Sequence, residues 1–91
     1  MKLVWSRDAN RDLHAILEYY EQFEIAVAAR MAEAIKAEPR RLLDYPQMGT
    51  PTRRRGTRKW PVRGTPFRLY YSIEGDTLVV QRVVHSAMDE A

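Results

Sequence analysis

The run 67–85 constrains this chain most tightly: two apolar, aromatic-rich segments meet at Glu74-Gly75-Asp76. The first alternates Phe67, Leu69, Tyr71 and Ile73 with Arg68, Tyr70 and Ser72, the period of a pleated strand with one buried face. The second, Thr77-Leu78-Val79-Val80-Gln81-Arg82-Val83-Val84-His85, is rich in β-branched residues. Gly75-Asp76 supplies the positive-φ chemistry of a tight turn, so the pair predicts an antiparallel hairpin. Upstream, 57–63 predicts a third strand, with Gly64-Thr65-Pro66 turning the chain into Phe67. The remaining residues must then cover one face of this meander.

The register of the hairpin has two solutions. A two-residue turn at Gly75-Asp76 sets Arg82 opposite Leu69. A three-residue loop over 74–76 sets Arg82 opposite Arg68, as a cationic pair on one face. One residue of slip reverses the face of every side chain, so both stand at this point.

Ahead of the meander, Lys2-Leu3-Val4-Trp5 predicts a short strand, and Ser6 is placed to cap a helix beginning at Arg7, with Asp8 in its first turn. Ala9, Leu13, Ile16, Leu17, Tyr20 and Phe23 then form an apolar stripe opposite Arg7, Asp12, His14 and Glu18, ending near 21–24. Ile25 opens a second helix whose Ala28, Ala29, Ala32 and Ile35 allow close packing as an antiparallel helical hairpin. Pro39 lacks a backbone donor and predicts a kink or a break near 37–39 before Leu42 and Leu43 resume the apolar face. Tyr45-Pro46 ends the helix, and 47–56 reads as a loop. The expectation is one α+β domain over 1–91: an N-terminal strand, a helical hairpin, then a three-strand antiparallel meander (β-α-α-β-β-β), with the helices on one sheet face.

Composition excludes several kinds of chemistry. There is no cysteine, hence no disulfide, thiol nucleophile or zinc–thiolate site. Two isolated histidines, His14 and His85, fall short of a metal site, and neither metal nor cofactor is expected. No apolar run approaches the roughly 18 residues of a bilayer span. Charge follows Met1-Lys2-Leu3 where a signal peptide would be apolar, so a soluble, cytoplasmic protein without a membrane partner is expected. The net charge is +3, but its distribution matters more: Arg53, Arg54, Arg55, Arg58, Lys59, Arg63 and Arg68 crowd into sixteen residues. Arginine forks suit carboxylates and phosphates, so the partner is either a nucleic acid or an acidic protein segment.

An ordered set of short patterns resembles the RelE/ParE superfamily of toxins from bacterial type II toxin–antitoxin modules. It comprises Trp5 with Ala9-x-x-Asp12-Leu13-x-x-Ile16-x-x-Tyr19, and Leu42/Leu43-x-x-Pro46-x-x-Gly49. Gly56-Thr57-Arg58, Val62, Phe67-Arg68-Leu69-Tyr70-Tyr71, Gly75-Asp76 and Arg82-Val83-x-His85 complete it. The resemblance implies a compact toxin neutralised by a cognate antitoxin that wraps the helical hairpin and the sheet. It also implies that operator DNA is read through the antitoxin. ParE-like members poison DNA gyrase and trap it on cleaved DNA, with no known catalytic residues. RelE-like members cleave messenger RNA on the ribosome with basic residues of the sheet and C-terminus.

For the ribonuclease chemistry, attack by a 2′-hydroxyl needs a base, charge stabilisation at phosphate and an acid. Lys59 and Arg68 match two positions of the RelE-like set, and His85 is a third candidate. The second strand lysine is replaced by Pro61, and Ser86-Ala87-Met88-Asp89-Glu90-Ala91 carries none of the expected C-terminal cations or tyrosine. The ordinary reading of His85 is a strand-end histidine bonded to backbone, and the ordinary reading of Arg53-Arg54-Arg55 is a solvated loop. No catalytic residue is therefore expected, and gyrase is the expected target. The alternative is a ribonuclease using Lys59, Arg68 and His85, and a third reading is a basic module without toxicity. The expected partner surface comprises Arg58, Trp60, Arg68, Tyr70 and Arg82, with Arg53, Arg54 and Arg55 from the loop. By phase, Tyr71 belongs to the core and Tyr70 to the open face.

Overall fold

The computed structural model describes residues 1–88; Asp89, Glu90 and Ala91, with the expectations attached to that acidic tail, lie outside the described residues. The order is β1 (Lys2–Trp5), α1 (Arg7–Glu21), α2 (Ile25–Asp44), β2 (Thr50–Pro51), β3 (Thr57–Pro61), β4 (Phe67–Glu74), β5 (Thr77–His85) and a short 3-10 turn, Ser86–Met88. The strands form one sheet in the order β1-β5-β4-β3-β2. The meander β3-β4-β5 is antiparallel as expected, and β1 adds to its edge in parallel with β5. This is the predicted α+β architecture, with one parallel pair and one additional edge strand. Among the described residues no helix is long and apolar enough to cross a membrane.

Ser6 caps α1 as its position predicts, accepting the Ala9 N–H at 3.0 Å. Its hydroxyl also donates to the Gln81 carbonyl at 2.9 Å, which ties the helix start to β5. The stripe of α1 buries Ala9 and Leu13 and packs Ile16, Leu17 and Tyr20 against the core. Phe23, placed in that stripe on periodicity, instead lies beyond the end of α1 and is 70% exposed. Ile25 likewise opens α2 but points away from the core.

Pro39 does not break the second helix. α2 runs from Ile25 to Asp44, and Ala28, Ala32, Ile35, Pro39 and Leu42 are all buried along one stripe. Proline removes a single intrahelical bond, and burial of the stripe on both sides of it holds the helix together.

The hairpin register matches neither sequence solution for Arg82. Glu74 pairs with Thr77 across the two-residue turn, where Gly75 has φ +65°. Positive φ at the first central position alone is the II′ pattern that favours glycine there. Further along, Tyr71 pairs with Val80 and Tyr70 with Arg82, leaving Gln81 as an extra residue on β5. This β-bulge sets Arg82 opposite Tyr70, outside the core, and returns Val83 to the buried face. Strict alternation after Leu78 and Val80 would instead have driven the Arg82 side chain into the apolar interior.

The loop after α2 is anchored from within. Tyr71, fully buried, donates its hydroxyl to the Pro46 carbonyl at 2.8 Å and accepts the Gly49 N–H at 2.9 Å. A Cβ at position 49 would fall 2.5 Å from the Tyr71 oxygen and 2.9 Å from the Lys59 carbonyl, so only glycine allows this approach. Held this way, two residues of the predicted 47–56 loop join the sheet as β2, with Pro51 on the edge where no ladder donor is needed. The predicted 57–63 strand is correspondingly shorter and ends at Pro61. Glu38, for which the sequence offered no role, is 5% exposed on α2. It accepts the Trp60 indole N–H at 2.9 Å and the Arg63 N–H at 3.3 Å, joining helix to sheet.

Tyr71→Phe removes the hydroxyl that satisfies two backbone groups and should lower stability by about 1–3 kcal/mol. Gly49→Ala should cost more, because the Lys59 backbone cannot give way. Burial raises the Tyr71 pKa above 10.0, against the smaller lowering effects of the Gly49 bond and the Arg58 charge. The folded state thus holds the Tyr71 proton more tightly than the unfolded state. Its contribution is complete below pH 10 and lost as pH rises through the raised value. Denaturant melts across alkaline pH should show this loss in the wild type and a shallower one in Tyr71→Phe; parallel curves would refute it.

Candidate functional site

The alternation of β3, β4 and β5 divides the cationic residues between two faces. On β3, Trp60 lies opposite Leu69 and Arg58 opposite Tyr71, on the side covered by the helices. Arg58 donates to the carbonyls of Gln47 and Gly49, at 3.2 and 2.7 Å, and so braces the same loop that Tyr71 anchors. Trp60 packs partly against the core and binds Glu38. Both residues carry structural bonds on the helix side.

Lys59 lies opposite Tyr70, and Pro61 opposite Arg68, on the face without helices. Lys59 and Tyr70, with Gln81, Arg82, Arg53 and Arg54, border a concavity of about 530 Å³. Among the described residues its lining includes Arg53, Arg54, Lys59 and Arg82 and no carboxylate. Tyr70 supplies the aromatic part of the floor, and Val84 and Met88 the apolar part of the rim. Of the eight expected partner-surface residues, Arg53, Arg54, Tyr70 and Arg82 line this concavity, and Arg68 projects from the same sheet face. Arg55 lies on the other side of the loop, beside Arg58.

Polar bonds fix the floor. Gln81, the bulge residue, donates its amide to Ser72 Oγ at 2.9 Å and accepts from Thr57 Oγ1 at 3.4 Å; Ser72 donates in turn to Glu74 at 2.9 Å. Arg82 is oriented by Asp12 of α1 through two bonds of 2.7 and 3.0 Å. Hydrogen bonding to Asp12, followed by the charge of Asp12, raises the Arg82 pKa and holds the guanidinium protonated. Asp12 also accepts the Val83 N–H at 2.9 Å, the backbone donor just past the bulge. Sequence reasoning left Asp12 on the solvent face of α1. The detectable signal was the 78, 80, 83 spacing of the apolar residues in β5, which implies an extra residue needing a polar partner nearby.

His85 is on the other face. It pairs with Phe67 across the ladder, meets its ring edge-on at 5.3 Å and borders a separate hollow with Ile16, Tyr19 and Tyr20. Its Nδ1 accepts the Ala87 N–H at 3.0 Å, which places the ring proton of the neutral form on Nε2. The sheet therefore separates His85 from Lys59 and Arg68. His14 pairs with Glu18 at 2.9 Å on the exposed side of α1. No group of three or more metal-ligating side chains occurs among the described residues.

Asp12→Ala should lower stability by about 1–3 kcal/mol, because it strips the partly buried Val83 N–H of its acceptor. Arg82→Ala should cost less than about 1 kcal/mol, since the Arg82 side chain is 53% exposed and its pairing is screened. Urea unfolding of the two variants measures the difference; equal losses would mean that the ion pair, not the backbone bond, carries the contact.

Comparison with known proteins bears on this geometry. The family profile described as "ParE toxin of type II toxin-antitoxin system, parDE" matches residues 3–90. A solved structure titled "Chromosomal ParDE TA system from P. aeruginosa" superposes with a TM-score of 0.85 at 24% identity, over 93% of this chain and 95% of that one. A second, "YoeB/ParE toxin from Agrobacterium tumefaciens", gives a TM-score of 0.61 at 24% identity, over 93% and 98% of the two chains. These likenesses establish a shared fold. No curated protein sequence matches.

Proposed function

Because the chain belongs to the ParE toxin family of type II toxin–antitoxin systems, we propose that it inhibits DNA gyrase by binding and trapping the enzyme on cleaved DNA, and that a cognate antitoxin neutralises it. The observation that carries this choice is the separation of His85 from Lys59 and Arg68 by the thickness of the sheet. A ribonuclease of the alternative kind needs its base and its phosphate-stabilising cations around one scissile bond. Here the imidazole meets an aromatic hollow on the helix side, while the cations project from the opposite face. A binding inhibitor has no such requirement. It needs complementary surface, which the open face provides as preoriented cations around Tyr70.

The antitoxin partner is read from the same surface. A carboxylate-rich segment laid across the open face would meet Lys59, Arg68 and Arg82, with Tyr70 offering apolar contact. Its continuation over the helical hairpin would meet Tyr19, Phe23 and Ile25, which are exposed on the hairpin. A segment that folds on binding loses conformational entropy, so tight neutralisation requires both surfaces rather than one.

Purified toxin should inhibit gyrase supercoiling and accumulate cleaved DNA, while toeprinting on translating ribosomes should show intact transcripts. Unaffected gyrase together with cut transcripts would replace this reading with the ribonuclease. Growth unaffected by expression without an antitoxin would favour a non-toxic basic module over both.

A further inference from the structure

The loop between β2 and β3 is more ordered than a solvated arginine run requires. The Thr52 N–H donates to the Thr57 carbonyl at 3.0 Å, and the Thr57 N–H donates to the Arg54 carbonyl at 3.0 Å. Thr52 Oγ1 accepts the Arg54 N–H at 3.2 Å and donates to the Thr57 carbonyl at 2.9 Å. The backbone carrying Arg53, Arg54 and Arg55 is thus closed by bonds from both of its ends. All three side chains are exposed, and none is paired with a carboxylate among the described residues. No acidic residue occurs in the sequence between Asp44 and Glu74, and the loop opens the run of seven cations from Arg53 to Arg68.

We propose that loop 52–57 is a binding site for the phosphate backbone of duplex DNA, independent of base sequence. Three features favour this occupant over others that carry negative charge. An acidic peptide must offset its ordering entropy by burying apolar surface, and residues 52–57 present no large apolar side chain. A single strand is held by stacking its bases on aromatic side chains, and the loop has none. A duplex backbone asks only for positioned cations, because released counterions supply the free energy. Closing the loop by backbone and threonine bonds fixes the backbone that carries the three arginines without drawing on their side chains. The inference extends the gyrase reading: there the bound duplex is the DNA that the enzyme holds.

The test uses the full-length toxin and a short fluorescent duplex, followed by anisotropy over a salt series. The wild type should bind with affinity that falls linearly on a log–log salt plot. The variant R53A/R54A/R55A should show a slope shallower by about 2.7, from roughly 0.9 for each phosphate that an arginine no longer neutralises. Arg→Lys at all three positions should retain most of the slope, and circular dichroism melts should show that both variants fold. An unchanged slope in the alanine variant overturns the proposal. So does tighter binding of single-stranded RNA, or displacement of duplex by polyglutamate at matched charge concentration. A gyrase assay separates this inference from the function it extends. If gyrase is unaffected while the alanine variant still loses duplex binding, only the gyrase reading fails. If gyrase is trapped while the duplex slope is unchanged, only the loop assignment fails.

Discussion

The single extra residue in β5 is the constraint on which the arrangement of this molecule depends. Without Gln81 as a bulge, the pleat would turn Arg82 inward and Val83 outward, placing an arginine among Leu69, Leu78 and Val80. An unpaired charge there would cost several kcal/mol, more than most small domains could spare. The bulge avoids that cost, and its polar groups find partners at once. Ser6 donates to the Gln81 carbonyl, the Gln81 amide reaches Ser72, and Asp12 takes the Val83 N–H. Helix α1 is thereby attached to β5 at two points, one at its cap and one a turn and a half further on.

From this follows the two-sided character of the sheet. Tyr71, Leu69 and Phe67 of β4 face the helices, while Arg68, Tyr70 and Ser72 face the opposite side. The helix side is given over to cohesion. Even its charged groups are structural there: Glu38 joins Trp60 and Arg63 to α2, and Arg58 braces the loop that Tyr71 holds from beneath. The open side presents Lys59, Arg68 and Arg82, and Asp12 aims the guanidinium of Arg82 rather than covering it. A small ParE-family fold can in this way combine a thin core with a strongly basic surface, because the two demands fall on opposite faces of the same strands.

Much of this was legible in the residue pattern. The β4 alternation, the Gly75-Asp76 turn, the Ser6 cap and the start of α2 at Ile25 all follow from spacing and local chemistry. The assignment of Tyr71 to the core and Tyr70 to the open face came from period alone. Pro39 misled because its penalty is local whereas the stripe that overrides it spans the helix. Phe23 misled because periodicity says nothing of where a helix stops. Loop 47–56 concealed an edge strand because the feature that draws it to the sheet is a tyrosine hydroxyl more than twenty residues away.

What the amino-acid order determined by itself was the sequence of elements apart from β2, the place of the hairpin turn, the concentration of arginine around 53–68 and the family pattern threaded through them. These rest on interactions between residues a few positions apart, which periodicity and turn chemistry record directly. Only the tertiary structure decided the faces on the strands beside β4: Arg58 and Trp60 toward the helices, Lys59 and Arg82 away from them, and His85 on the side opposite Lys59 and Arg68. The physical reason is that a strand's period of two makes facing hostage to one inserted residue. Whether a bulge is tolerated depends on distant groups, here Ser6 and Asp12, that fold back to satisfy it.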